Sequence, residues 1–509
     1  MSLLDKPERA AVYVVWCFVF FGPIGSYIKL PMMPHLSKLN IAYVSVLVAA
    51  VIMAPDYVKR GRPGSWPGSL VFVSAFGAML TALSNPDMLV YSGYAATVVI
   101  PGLNVIDGAY MGITNLFNAF APFLVGFVFV RDAKTMRFMA RLLMSLLAIY
   151  AVLMLVEIRL SPQLHTWIYG HSAHSDFSQT RRWGGYRPMV FMRHGLAVAL
   201  LVYNCGLVVI GLSRSGEKPM LFGRVLHFSW GKVVAAACFC LFITKSTAAI
   251  IYGIALFPIA LKGKPRTTLR VAGVLAVLAL TYPVARSYDL VPTDDLVQFM
   301  ADTFGWDRAQ SMQYRFGNED QLMVKVRERL YFGWGEYGRQ FFYGFDGRQA
   351  TIPDGFWIIV LGSRGLFGYA PAFLILLYPI FMAQRRHKYV RNSGDLNLLA
   401  CLTLAQATSV ADLIPNGLFD TYPYFLSGAL CALWMVLGDP KKRHMADEPD
   451  EADEQGPEGG AMVPAPGVPP HPGAPPWPGY PYYPPPGPGA GPHPGAPPPP
   501  PGWPPQGPQ

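Results

Sequence analysis

Apolar runs recur along this chain from residue 10 to residue 438, and they decide what it can become. In lipid every backbone polar group must be satisfied within the segment, so repeated apolar runs point to a bundle of membrane-crossing helices. Composition agrees: 52% of the residues are hydrophobic and only 14% charged, against about 25% charged in a soluble domain. The first run (10–28) contains Trp16, Phe18, Phe20 and Phe21 without a small-residue cleavage site, so it reads as a retained helix.

Twelve spans are expected, at 10–28, 39–55, 68–84, 113–130, 136–156, 188–212, 232–244, 246–261, 267–285, 355–383, 396–413 and 420–438. The seventh and eighth are short enough to be one bent helix. The stretch 85–112 is apolar but punctuated by Pro86, Pro101, Gly102 and Gly108, so it reads as an external or re-entrant segment. With twelve spans, the basic loops at Lys59–Arg62, Arg131–Arg137, Arg214–Arg224, Lys262–Arg266, Arg385–Arg391 and Lys441–Arg443 share the side of the N-terminus. The positive-inside rule makes that side the cytoplasm and puts both termini there. Residues 1–443 form the membrane domain, with large external loops at 157–187 and 286–353. The tail 444–509 holds 25 of the 48 prolines. It is expected to be extended and disordered, either a solubilising or tethering tail or a docking segment for a Pro-binding partner.

The net charge of +10 comes largely from the loops flanking the spans, which argues against nucleic acid as a partner. All six cysteines lie in apolar runs, so a disulfide framework and a thiolate metal site are not expected. His171 and His174 have a metal-like spacing without a third ligand nearby, and no metal is assigned to them.

Arginines belong on the cytoplasmic side, yet both external loops carry them. The run Arg181-Arg182-Trp183-Gly184-Gly185-Tyr186-Arg187 has few acids around it and suits a phosphate group. Arg193 and His194 follow at the start of the sixth span. His194 reads as a packed helix-end residue or a substrate contact. The second loop offers Arg315 and Arg327 among many acids, where surface ion pairs explain most charges. Gln321 to Leu330 has helical apolar spacing there. Arg364 lies ten residues beyond Asp354, about 15 Å into a span at 1.5 Å per residue. A buried arginine at that depth needs a partner, and Asp412 is the candidate. Asp354 follows Pro353 where a helix begins, a favoured N-cap position. Gly365 falls about three turns further on the same face, and Gly365 with Gly368 would let another helix approach.

Asp354-Gly355, nine residues, Gly365, two residues and Gly368 reproduce a spacing that resembles the signature of the O-antigen ligase and O-antigen/exopolysaccharide polymerase superfamily. Aspartate stands where the ligase signature has histidine, which favours the polymerase branch. Arg187-Pro188 through His194-Gly195-Leu196-Ala197 resembles that family's arginine-bearing entry to a middle span. Thr244-Lys245-Ser246-Thr247-Ala248 is similar to its basic turn, and Arg315 followed by Phe332-Gly333-Trp334-Gly335 to its loop arginine and G-x-G. The resemblance implies an all-α, GT-C-like polytopic protein of the bacterial inner membrane. It implies an inverting glycosyltransferase that needs neither metal nor other cofactor and uses a glycan linked to undecaprenyl pyrophosphate. In those terms Asp354 is the base and Arg187 and Arg315 hold the departing pyrophosphate. Arg182, Arg193, His194, Lys245, Arg327 and Arg364 are assisting contacts, and polysaccharide-assembly proteins are the partners implied for the Pro-rich tail. A ligase acting on a lipid or protein acceptor, and a flippase or exporter of lipid-linked oligosaccharide, are the alternatives.

Overall fold

The computed structural model describes residues 6–30, 33–60, 64–94, 96–173, 177–417 and 420–439. The Pro-rich tail and His174 lie outside the described residues. The fold is helical. In chain order the first helices are α1 (Pro7–Phe21), α2 (Ile41–Met53), α3 (Pro55–Arg60), α4 (Ser65–Leu83), α5 (Val105–Asn115) and α6 (Ala121–Phe129). Next come α7 (Ala133–Leu160), α8 (Leu164–Tyr169), α9 (Gly195–Ser213), α10 (Trp230–Ile243), α11 (Thr247–Lys262) and α12 (Pro265–Ser287). The chain continues through α13 (Thr293–Phe304), α14 (Trp306–Glu328), α15 (Phe356–Arg386), α16 (Ser393–Asp412) and α17 (Tyr422–Leu437).

A helix stands at each of the twelve expected segments. Six helical stretches among the described residues are long and apolar enough to cross a membrane: Trp66–Leu83, Val105–Phe129, α7, α9, α12 and Phe356–Tyr389. α2, α10, α11 and α17 are apolar but shorter. α10 and α11 are two helices rather than one bent helix, because Lys245 between them has a φ of +54° that no helix tolerates. Of the stretch 85–112, the first part is a hairpin, with Leu89–Ser92 paired antiparallel to Thr97–Ile100, whereas residues 105–112 belong to the apolar helical stretch Val105–Phe129, which starts earlier than the expected 113. A π-turn over Leu116–Phe120 joins α5 to α6.

Burial sorts the helices into layers. α9, α16 and α17 are buried nearly all round, the mark of a central helix. Interhelical hydrogen bonds tie them together. Asn204 Nδ2 donates to Ser409 Oγ and to the Tyr422 hydroxyl, both at 2.9 Å. Gln406 Nε2 donates to the Leu376 carbonyl at 3.0 Å. Such bonds hold membrane helices where lipid offers no competing partner. α2, α4 and α12 instead expose apolar flanks, among them Val48, Ile52, Phe72, Phe76, Val274 and Leu278. Apolar surface on this scale belongs against lipid.

The two ends of the bundle differ. At one, Arg137 Nε meets Asp395 Oδ1 at 2.8 Å, and Arg141 holds both oxygens of Glu217 at 2.9 Å. Arg214 donates to the Ala260 carbonyl at 2.5 Å. Two of the basic segments, Arg131–Arg137 and Arg214–Arg224, therefore meet an acid or a helix C-terminus at this end. The other end carries the two large loops. The first holds α8 and a two-residue hairpin that pairs Arg181–Arg182 with Gly185–Tyr186. Trp183 and Gly184 turn it with φ of +50° and +69°, as tight hairpins require. The second folds into α13 and α14, longer than the Gln321–Leu330 helix that periodicity predicts.

α15 is interrupted at Gly365, whose φ of +56° and ψ of −163° break the helix. The segment Leu330–Gly335 fills the gap. Trp334 N donates to the Gly362 carbonyl at 2.9 Å and Gly335 N to Ser363 at 2.8 Å. In return Leu366 N donates to Leu330 at 2.9 Å and Phe367 N to Tyr331 at 3.1 Å. A loop, not a helix, makes the close approach at Gly365, which corrects the expected role of the glycine pair. A Cβ there would collide with the Tyr331 carbonyl oxygen.

Candidate functional site

A cavity of about 830 Å³ opens at the loop-bearing end, within the range of small-molecule sites. Most of its lining comes from the Arg181–Arg187 hairpin, the Lys245 turn, α14 with the entry to α15, and the turn after α16, with Leu196 of α9, Tyr282 of α12 and Met300 of α13 completing it. Arg181, Arg182, Arg187, Lys245 and Arg315 line it, against two carboxylates, Glu319 and Asp354. The lining is therefore net positive. Ser246, Thr247 and Ala248 also face it, so the positive N-terminal end of α11 points the same way.

Arg187 is the most telling of these residues. It is 2% exposed, and its Nε and Nη2 have no hydrogen-bond partner among the described residues. Burial, with the neighbouring Arg182 charge, pushes its pKa down to about 10. That still leaves it charged at neutral pH. A buried guanidinium without a partner costs several kcal/mol, and an anion in the cavity would offset that cost. Lys245 reaches the same hairpin, its Nζ 3.4 Å from the Arg182 carbonyl.

Asp354 faces this cluster. Arg315 Nε lies 2.9 Å from its Oδ2, and both side chains are part-exposed. Asp354 is not the cap of α15: Gly355 holds that position, without a side-chain bond to the helix. The N-cap reading is corrected on that ground. The turn after α16 seats the junction, since Phe356 N donates to the Leu413 carbonyl at 2.9 Å.

Glu319 is the second carboxylate. The Tyr282 hydroxyl donates to its Oε2 at 2.9 Å, and Arg286 Nε lies 3.3 Å away. Burial pushes its pKa up, and these two partners pull it back in part. Sequence gave it only as one acid among several in a charged loop. The i, i+4 spacing of Tyr282 and Arg286 on α12 is the one signal that could have suggested a shared partner. Nothing in the order of residues pointed to α14 as its source.

The remaining expected contacts stand elsewhere. His194 caps α9: its Nδ1 accepts from Leu196 N at 3.1 Å, and Nε2 lies 2.9 Å from Gln179 Oε1. Arg193 acts on the charge of Asp420, at the start of the last helix. Arg327 donates to the Ser287 carbonyl at 3.0 Å and lies 3.9 Å from Asp289. Arg364 pairs with Glu336 at 2.9 Å, not with Asp412, because the break in α15 brings the inserted loop beside it. Asp412 Oδ1 instead accepts from Asn416 Nδ2 at 2.9 Å and from the Tyr252 hydroxyl at 3.2 Å. His165 and His171 bind the backbone at Ile24, a structural role.

No family model matches this sequence, and no curated protein matches it either.

Proposed function

We propose that the chain is a twelve-span glycosyltransferase of the bacterial inner membrane, of the exopolysaccharide or O-antigen polymerase type. The cavity then faces away from the cytoplasm and both termini lie within it. The donor is a glycan on undecaprenyl pyrophosphate, and the acceptor is a sugar hydroxyl on a second glycan. The observation that carries this reading is the buried guanidinium of Arg187, whose Nε and Nη2 have no partner among the described residues, in a cationic cavity beside a carboxylate. The chemistry needs both. The acceptor hydroxyl attacks the anomeric carbon as the bond to the lipid pyrophosphate breaks, with inversion. Asp354 takes the hydroxyl proton. Arg187 and Arg315, assisted by Arg182 and Lys245, stabilise the charge that develops on the leaving pyrophosphate. Arg315 also holds Asp354 in place through their ion pair.

The test is the glycan profile of cells in which the chain is deleted and then restored as wild type or Arg187→Gln. A lost polymerase leaves single repeat units on the carrier at the outer leaflet. Lipid-linked polymer without a mature product indicates the ligase instead. The interruption of α15 beside Arg364 favours a second reading, an exporter, because broken helices at membrane depth mark transport pathways. That reading predicts single repeats held at the inner leaflet.

A further inference from the structure

α13 carries apolar residues over roughly half its circumference at about 100° per residue, yet the protein covers only part of that arc. Val297 is 9% exposed, and Met300 lines the cavity. On the adjoining flank Leu296 and Phe299 are 39% and 60% exposed. The far side is polar, with Asp294, Asp295, Gln298 and Asp302. A helix that must satisfy only protein and water has no use for the bare apolar flank.

That flank continues another one. α12 buries Ala272, Ala276, Ala279 and Pro283 on its protein side. It exposes Val274, Val277, Leu278 and Val284 on the other. The bare surface runs on through Tyr288 and Leu290 in the short connection to α13. Tyr288 and Trp306, both exposed, bracket α13 at its two ends, as aromatic residues do at a membrane–water boundary.

We propose that α13 is an in-plane membrane helix, seated in the lipid interface on its Leu296–Phe299 flank while its Met300 side closes the cavity. The occupant of the bare flank is phospholipid, because the surface is continuous with the lipid-facing side of α12. An apolar face under a polar one, parallel to the bilayer, is how such helices bind. One helix then separates the cationic cavity from lipid. A ligand with an anionic head and an apolar tail has its tail on one side of α13 and its head on the other. The inference rests on α12 being a membrane span.

The experiment places p-benzoylphenylalanine singly at Leu278, Leu296, Gln298 and Phe299 of the full chain in native membranes. After irradiation, phospholipid adducts are counted by mass spectrometry. The expected result is adducts at 296 and 299 comparable to those at 278 and at least tenfold above those at 298. Adducts at 278 with none at 296 and 299 overturn the proposal, as do crosslinks from 296 or 299 to a second copy of the chain. Absence of adducts at 278 itself overturns the membrane reading of α12, and the placement of α13 with it.

Discussion

Arg187 is buried, and its Nε and Nη2 gain no partner among the described residues. Natural proteins keep such a costly group where function needs it. Two consequences follow. Without ligand, Arg187→Gln should be no less stable than wild type, because it removes an uncompensated charge. With inorganic pyrophosphate, wild type should melt at higher temperature, while the variant should bind at least tenfold more weakly, the loss of about 1.5–3 kcal/mol expected for a charge-assisted contact. Thermal melts in detergent with a pyrophosphate titration read both. A variant that is stabilised by pyrophosphate as well as wild type contradicts the assignment. Glu319 supplies a pH signature. Its folded pKa is raised above the ordinary 4.5, so the folded state holds the proton more tightly than the unfolded one. That contribution is fully present below about 4.5 and is lost as pH rises through the folded value. Wild-type stability should therefore fall over that window relative to Glu319→Gln, and parallel melting curves for the two would refute it. The charged residues of the cavity were legible in sequence because cations on the outer side of a membrane protein are out of place. Their partners were not. An arginine deep in a span announces that it needs a carboxylate, but only the fold selects Glu336 over Asp412.

Elements explain that selection. Helical periodicity and length marked a helix at each of the twelve expected segments, since each apolar run must satisfy its own backbone in lipid, but they left α3, α8, α13 and most of α5 unmarked. The same periodicity carried α15 straight through Gly365. Its interruption depends on Leu330–Gly335, a segment some thirty residues earlier whose backbone supplies the missing hydrogen bonds. Gly333 is part of the fit: a Cβ there would stand 2.6 Å from the Arg364 nitrogen. Gly365→Ala should thus cost about 1–3 kcal/mol for the positive φ, and more for the collision with Tyr331. The variant should melt lower in detergent than Gly362→Ala in the same helix, whose added Cβ meets its nearest neighbour, Gln340 Cβ, at an ordinary 3.5 Å. Equal melting temperatures would mean that the break is not rigidly built. The Lys245 turn was partly legible as a basic turn between two short runs. Its left-handed backbone, which parts α10 from α11 and aims the latter at the cavity, was not.

Across the whole molecule the charges divide by end. Arg137, Arg141 and Arg214 are tied to acids or carbonyls at one end, while the cations around Arg187 surround a cavity at the other. That asymmetry fits the proposed enzyme, which would take an anionic, lipid-borne donor from one face of a membrane, with Asp354 proposed as the group that starts its reaction. The decisive measurement is the rate of polymer elongation by Asp354→Asn, in cells from which the wild-type chain has been deleted and with equal amounts of folded protein in the membrane. Loss of a general base predicts a rate at least a hundredfold below wild type, with single lipid-linked repeats accumulating at the outer leaflet. Elongation at the wild-type rate would contradict the account.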